Sequence, residues 1–244
     1  MPSLKFNSLD INYEVSGTGP LLILHHGFGS WGRDWIRGGW LDALNPHATI
    51  LIFDSVGHGL STRSHNPSDH TVEKRAALVI ALADHMEADK FGFLGFSMGG
   101  RTGFEIAASN PARLSLLAIG GMDLRPPAAE KDRFERNMRV LRSGRTKSIE
   151  NPDGDRPGND PLALAASHEA LLQWSGANKR LSNHTAPTLL FCGEKDQHFD
   201  NAKHTAKSMK FEFAALPDTD HYSTFFSSPH AVSSVTKFVS KQLT

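Results

Sequence analysis

Cysteine is nearly absent from this chain: Cys192 stands alone among 244 residues, which excludes an internal disulfide framework and fits a reducing compartment. It lies in the apolar run Thr188-Leu-Leu-Phe-Cys192, where a thiol serves as buried strand packing. Excess charge of either sign is missing too. Lysine plus arginine and aspartate plus glutamate each total 26, so no overall field exists to recruit nucleic acid or an anionic membrane. No run of eighteen apolar residues is present that could span a bilayer. The opening Met1-Pro-Ser-Leu-Lys-Phe-Asn lacks the basic stretch followed by an apolar one that marks a secretory signal. These absences predict a cytoplasmic protein, a monomer or homodimer, with no nucleic-acid or membrane partner. Hydrophobic residues at 39% and charged residues at 21% give the balance of a compact globular fold.

Leu9 to Val15 alternates apolar and polar positions, and Ser16-Gly-Thr-Gly-Pro20 is a turn cluster, so the first twenty residues predict two short strands at an antiparallel edge. Continuous apolar runs follow at 21–24, 49–53, 91–94, 114–119 and 188–192, the pattern of strands buried on both faces. Helical patterns at 35–44, 72–86 and 98–108 separate them. Such alternation predicts an α/β fold, a mostly parallel sheet covered by helices on both sides. The rhythm breaks after Met122. Residues 128–141 and 161–174 read as helices separated by the turn-rich stretch 151–160. The strand and helix alternation resumes at Pro187, continues through 211–216 and ends in an amphipathic helix over 229–242. The expected organisation is a core of residues 1–122 and 185–244 with a helical cap, 123–184, inserted into it.

The sharpest chemical signal is Gly95-Phe96-Ser97-Met98-Gly99, with a predicted buried strand directly before it and a helix directly behind. A nucleophile elbow requires this context, because the serine sits in a tight, strained turn and the flanking glycines make room for neighbouring chains. A serine hydroxyl needs a base within hydrogen-bond reach. His221 follows the last predicted strand and opens on the carboxyl edge of a parallel sheet, where functional groups gather. A carboxylate must then orient the imidazole. Asp196, after the run ending in Cys192, is the leading candidate; Glu194 beside it and Asp123 after the 114–119 run are alternatives. Asp218 and Asp220 stand too near His221 in sequence and are expected to shape its loop. The chain order Ser, Asp, His is that of one known triad arrangement. Developing oxyanion charge needs two backbone donors, for which Met98 and Phe28 are the candidates. The Phe28 ring is also expected to wall the pocket.

Taken together, these segments resemble the α/β-hydrolase superfamily, in the branch of carboxylesterases, lactonases and carbon–carbon bond hydrolases. The resemblance covers nearly the whole length and rests on His26-Gly27-Phe28-Gly29-Ser30 with Trp35, on Asp54-Ser-Val-Gly57-His58-Gly59-Leu-Ser61, on the elbow, on Gly193-Glu-Lys-Asp196 and on His221. It implies an eight-stranded sheet with a small helical lid and a serine hydrolase that needs no cofactor or metal. The implied chemistry is an acyl-enzyme on Ser97, released by water activated at His221. Asp54, Gly57, His58 and Gly59 are implied as structural. Two departures stand out. Arginine or proline is usual where this chain has Ser55 and Val56, and only 99 positions separate Ser97 from Asp196, which implies a compact lid over a less enclosed site.

A small ester or lactone is the expected substrate, with Phe28, Trp35, Phe134, Met138 and Trp174 as candidate contacts. For Leu141, Leu164 and Leu171 the expected role is packing, because an amphipathic helix needs a buried stripe. The basic series Arg133, Arg136, Arg139, Arg142 and Arg145 reads as a solvated face, and Asp153-Gly-Asp155 as a turn. Cleavage of a carbon–carbon bond in a diketone-like acid, and a ligand receptor that keeps the triad, are the competing functions.

Overall fold

The computed structural model describes residues 2–145 and 159–243. The strands β1 (Ser3–Phe6) and β2 (Leu9–Gly17) form the expected antiparallel edge. They are followed by β3 (Leu21–His25), β4 (Thr49–Phe53), β5 (Phe91–Phe96), β6 (Leu114–Gly120), β7 (Thr188–Gly193) and β8 (Glu212–Leu216). Together they make an eight-stranded sheet in the order β1-β2-β4-β3-β5-β6-β7-β8. Apart from the pairs made by β2, every ladder is parallel.

The period-two geometry of a strand splits each apolar run between two cores. Ile23, Leu51, Phe93 and Leu117 face a layer that includes α3 (Val72–His85) and α4 (Met98–Ser109). Leu22, Ile50, Leu94 and Leu116 face the opposite layer, with α2 (Trp40–Leu44) and α9 (Pro229–Leu243). Each such side chain, fully buried, contributes about 1.5–3 kcal/mol. Cys192 lies in this packing, and burial together with the nearby Asp196 carboxylate pushes its thiol pKa up.

The single helix expected over 35–44 is instead two, α1 (Asp34–Arg37) and α2. Gly39 separates them with a left-handed φ of 75°, a conformation that glycine adopts without a Cβ clash. The break lets Trp35 and Trp40 meet edge to face at 5.3 Å. Trp40 Nε1 then donates to the Phe225 carbonyl at 2.9 Å.

Between β6 and β7 the described residues hold α5 (Lys131–Arg142) and α6 (Pro161–Leu171) and no strand. Most of the turn-rich stretch 151–160, with Asp153-Gly-Asp155, lies outside the described residues. Asp160 is described: it caps α6 by accepting from the Leu162 and Ala163 amides. The returning segment is moored to α4 by one buried carboxylate. Glu105 accepts from Trp174 Nε1 and from Arg180 Nη1, each at 2.7 Å. The remaining helices, α7 (Phe199–Met209) and α8 (His221–Phe226), flank β8 in sequence. No helix among the described residues is long and apolar enough to cross a membrane.

His25, His26, His58, His70 and His168 are all buried. Burial is the main force lowering each pKa, with the Arg75 guanidinium among the further causes, and it takes His70 to about 4 and His168 to about 3. Unfolded histidines bind protons near pH 6.5 and these native ones do not. Their stabilising contribution is therefore complete above pH 6.5 and is lost as pH falls below it, by up to about 1.4 kcal/mol per pH unit for each group. The melting temperature should decline steadily from pH 6.5 to 4.5; a flat profile across that window would contradict the burial of these imidazoles as neutral rings. Glu105→Ala strands Trp174 and Arg180 and should cost about 2–3 kcal/mol. The urea midpoint should fall with an unchanged slope, and an unmoved midpoint would show that the mooring is idle.

Candidate active site

β5 delivers Ser97 into a turn with φ 54° and ψ −108°, a region that costs a non-glycine residue on the order of 1–3 kcal/mol. Both peptide groups of the turn are tied down. The Ser97 amide donates to the Gly120 carbonyl at 2.9 Å, and the Ser97 carbonyl accepts from the Arg101 amide at 3.2 Å. The flanking glycines are there for space: a Cβ on Gly95 would overlap the Gly99 carbonyl, and one on Gly99 the His25 carbonyl.

His221 was expected on a loop and is instead the first residue of α8. Asp220 caps that helix, its carboxylate accepting from the Ser223 amide at 2.7 Å while its own N–H donates to Ser223 Oγ at 2.8 Å. The cap fixes the direction of the His221 side chain. Its Nδ1 lies 2.7 Å from Asp196 Oδ2 and its Nε2 lies 3.0 Å from Ser97 Oγ. Burial raises the Asp196 pKa, but the hydrogen bond and charge of His221 and the His198 amide outweigh it, leaving the group below the usual carboxylate value. An ionised Asp196 only accepts, so Nδ1 carries the imidazole proton and Nε2 is left to accept from the Ser97 hydroxyl.

Of the three carboxylates considered from sequence, Asp196 is the one brought to His221. Glu194 is exposed. Asp123 is buried and bonded elsewhere, accepting from His198 Nδ1 at 2.9 Å and from Arg125 Nε at 2.9 Å. Desolvation raises its pKa, and these two partners pull it far below the ordinary value.

His26 sets the loop after β3. Its Nε2 accepts from the Ser55 amide at 3.0 Å, so its Nδ1 carries the proton and donates to the Gly27 carbonyl at 2.7 Å. A trans peptide places C=O and N–H on opposite sides. Anchoring the Gly27 oxygen therefore turns the Phe28 N–H the other way. Neither that N–H nor the Met98 N–H donates to a described residue.

A cavity of about 380 Å³ opens beside Ser97 and His221. Phe28, Met98 and Phe134 line it. Trp35, Met138 and Trp174 do not, and each expectation is corrected by where packing takes the side chain. Trp35 is fully buried between Trp40 and Phe225. Trp174 is held at Glu105. In α5 the buried stripe is Phe134, Met138 and Leu141, and only its Phe134 end reaches the cavity. Arg133 is also corrected: Arg136, Arg139, Arg142 and Arg145 are exposed, whereas Arg133 is half-buried and lines the cavity. Sequence reasoning missed Arg101 and His168, which line it too. The signals were an arginine one helical turn beyond Ser97, hence on its face, and a histidine in a helix whose first six residues are apolar.

Residues 20–137 match the family described as alpha/beta hydrolase fold. With that match, the order of the sheet and the elbow, the fold is decided. The chain has the α/β-hydrolase fold. Among curated proteins, this chain is 25% identical over 247 aligned residues to the dihydrolipoyllysine-residue acetyltransferase component of the acetoin cleaving system of Pseudomonas putida, covering 86% of this chain and 60% of that protein. The chain thus spans less than two thirds of that relative. A thermophilic esterase from Thermogutta terrifontis shares the fold with a TM-score of 0.83 at 22% identity, over 97% of this chain and 95% of that one. The enol-lactonase from Burkholderia xenovorans LB400 does so with a TM-score of 0.78 at 23% identity, over 99% of each chain.

The Ser55-Val56 turn is closed without arginine or proline. Asp54 accepts from the Gly32 amide at 2.8 Å, the Leu60 amide at 2.9 Å and Asn12 Nδ2 at 3.0 Å. Ser61 Oγ donates to the Asp54 carbonyl at 2.7 Å.

Proposed function

We propose that the chain is a serine hydrolase that cleaves a small carboxylic ester or lactone through an acyl-enzyme. The observation that carries this reading is the continuous line of hydrogen bonds from Ser97 Oγ through His221 to Asp196, at 3.0 and 2.7 Å, opening into a cavity. The esterase and enol-lactonase with the same fold support the bond class.

In this reading Ser97 Oγ attacks the carbonyl carbon as His221 Nε2 takes its proton, and Asp196 stabilises the imidazolium. The oxyanion is received by the N–H groups of Met98 and Phe28. Collapse expels the alcohol, which takes the proton back from His221. Water, deprotonated by His221, then attacks the acyl-enzyme and frees the acid. A lactone follows the same steps, with the alcohol remaining attached to the product. The strained Ser97 turn keeps the hydroxyl projecting into the cavity, and the His26 clasp holds one oxyanion donor in place before substrate arrives.

A fluorophosphonate probe should label the wild type on Ser97, leave Ser97→Ala unlabelled and abolish turnover of short p-nitrophenyl esters; equal labelling of both proteins would sink the assignment. His26→Ala frees the Gly27–Phe28 peptide to rotate. It should lower kcat by about 10²-fold, the loss typical of one oxyanion donor, with KM changed much less. Loss confined to KM would remove His26 from this positioning role.

A further inference from the structure

One wall of the cavity carries charge that ester or lactone hydrolysis by itself does not need. Arg101, on α4 one turn after Ser97, is 4% exposed and still lines the cavity. Arg133, on α5, lines it from the lid side. The two guanidiniums share a single carboxylate, Glu130, at 3.5 Å from Arg101 and 2.6 Å from Arg133. The next nearest acid, Asp123, is taken by Arg125 and His198. A third guanidinium, Arg75, stands directly behind the wall, donating to Ser167 Oγ at 2.6 Å. Arg75 is itself 2% exposed.

This wall also holds polar atoms without partners. The Nε atoms of Arg101 and Arg133 and both ring nitrogens of His168 are buried and have no hydrogen-bond partner among the described residues. His168 is held flat on Phe28, ring centroids 3.8 Å apart and planes 13° from parallel, which fixes its ring in the cavity wall. Burial leaves polar groups unsatisfied only at a cost, unless a ligand completes them. The charged groups on the opposite side are already committed, Asp196 to His221, Asp220 to Ser223 and Lys195 to Asp218. The field across the cavity therefore runs from a cationic lid side toward the nucleophile and favours an anion on the lid side.

We infer that Arg101, Arg133 and His168 form a carboxylate-binding subsite, so that the substrate is an ester or lactone whose acyl part carries a second, free carboxylate. The inference rests on the acyl-transfer reading of Ser97. Arg101 lies four positions along the helix from Ser97, a rise of about 6 Å, which places the carboxylate a few carbons from the scissile carbonyl. A half-ester of a short dicarboxylic acid has that spacing. Planar guanidinium forks suit a carboxylate, and their charge-assisted hydrogen bonds are stronger than neutral ones. The apolar stretch between the two ends of the substrate would lie along Phe28 and Phe134.

The test compares p-nitrophenyl hemiglutarate with the neutral p-nitrophenyl valerate. Wild type should favour the anionic ester by 10-fold or more in kcat/KM, and Arg101→Met and Arg133→Met should each cut that ratio by about 10-fold. Because the readout is a ratio within one protein, a variant that folds poorly lowers both terms and leaves the comparison valid. Arg133, which is partly exposed, provides the variant least dependent on the core. A wild type that treats the two esters alike, or a ratio untouched in both variants, overturns the subsite while leaving the hydrolase reading intact. If neither ester is turned over, that reading fails, and calorimetric titration of Ser97→Ala with glutarate judges the subsite alone. Binding weakened 10-fold or more by an added Arg133→Met supports it, and absent or unweakened binding overturns it.

Discussion

Everything at the rim of the sheet depends on the left-handed turn at Ser97. A serine does not adopt φ 54° without compensation, and the compensation is supplied by the core beneath. Phe91, Phe93 and Leu94 of β5 are fully buried, each stabilising the fold by about 1.5–3 kcal/mol, against a strain of about 1–3 kcal/mol. β5 pairs with β3 on one side and β6 on the other, so neither end of the turn can move without breaking a ladder. The glycine contacts with Gly99 and His25 follow from the same constraint: the turn is so tight that neighbouring backbone occupies the space a side chain would take.

Given that fixed point, the other groups arrive by independent devices. Asp196 comes from the end of β7, with its second oxygen held by the His198 amide at 2.9 Å. A helix cap aims His221. An imidazole, His26, bridges the loops after β3 and β4 and sets a peptide plane. None of these devices uses a side chain from α5 or α6. Those helices contribute the opposite wall, and there the chemistry changes character, from a line of hydrogen bonds to a cluster of guanidiniums with too few acids.

The strands were legible because a residue buried on either face of a sheet must be apolar, and five continuous apolar runs show that directly. The elbow was legible because backbone crowding demands glycine at Gly95 and Gly99. The break between Trp35 and Leu44 was not, because Gly38-Gly39 interrupts an apolar period without erasing it. The start of α8 was hidden in the same way: Asp220 and Ser223 form the cap, and this pair looks like loop chemistry until the reciprocal hydrogen bonds are seen. Lid contacts were the least legible. The spacing of Phe134, Met138 and Leu141 shows a buried stripe but not which end of it meets the cavity, and Arg133 belongs to a basic series whose other members are exposed. Arg101 was overlooked because a charged residue on a helix usually faces water, whereas here it is buried beside Glu130.

The mooring of Trp174 and Arg180 on Glu105 has a consequence for engineering. Glu105 sits on the helix that Ser97 begins, so the roof and the floor of the pocket are not interchangeable modules. A segment transplanted here from another protein of this fold would leave this carboxylate without its indole and guanidinium, and the graft would succeed only if position 105 were redesigned along with it.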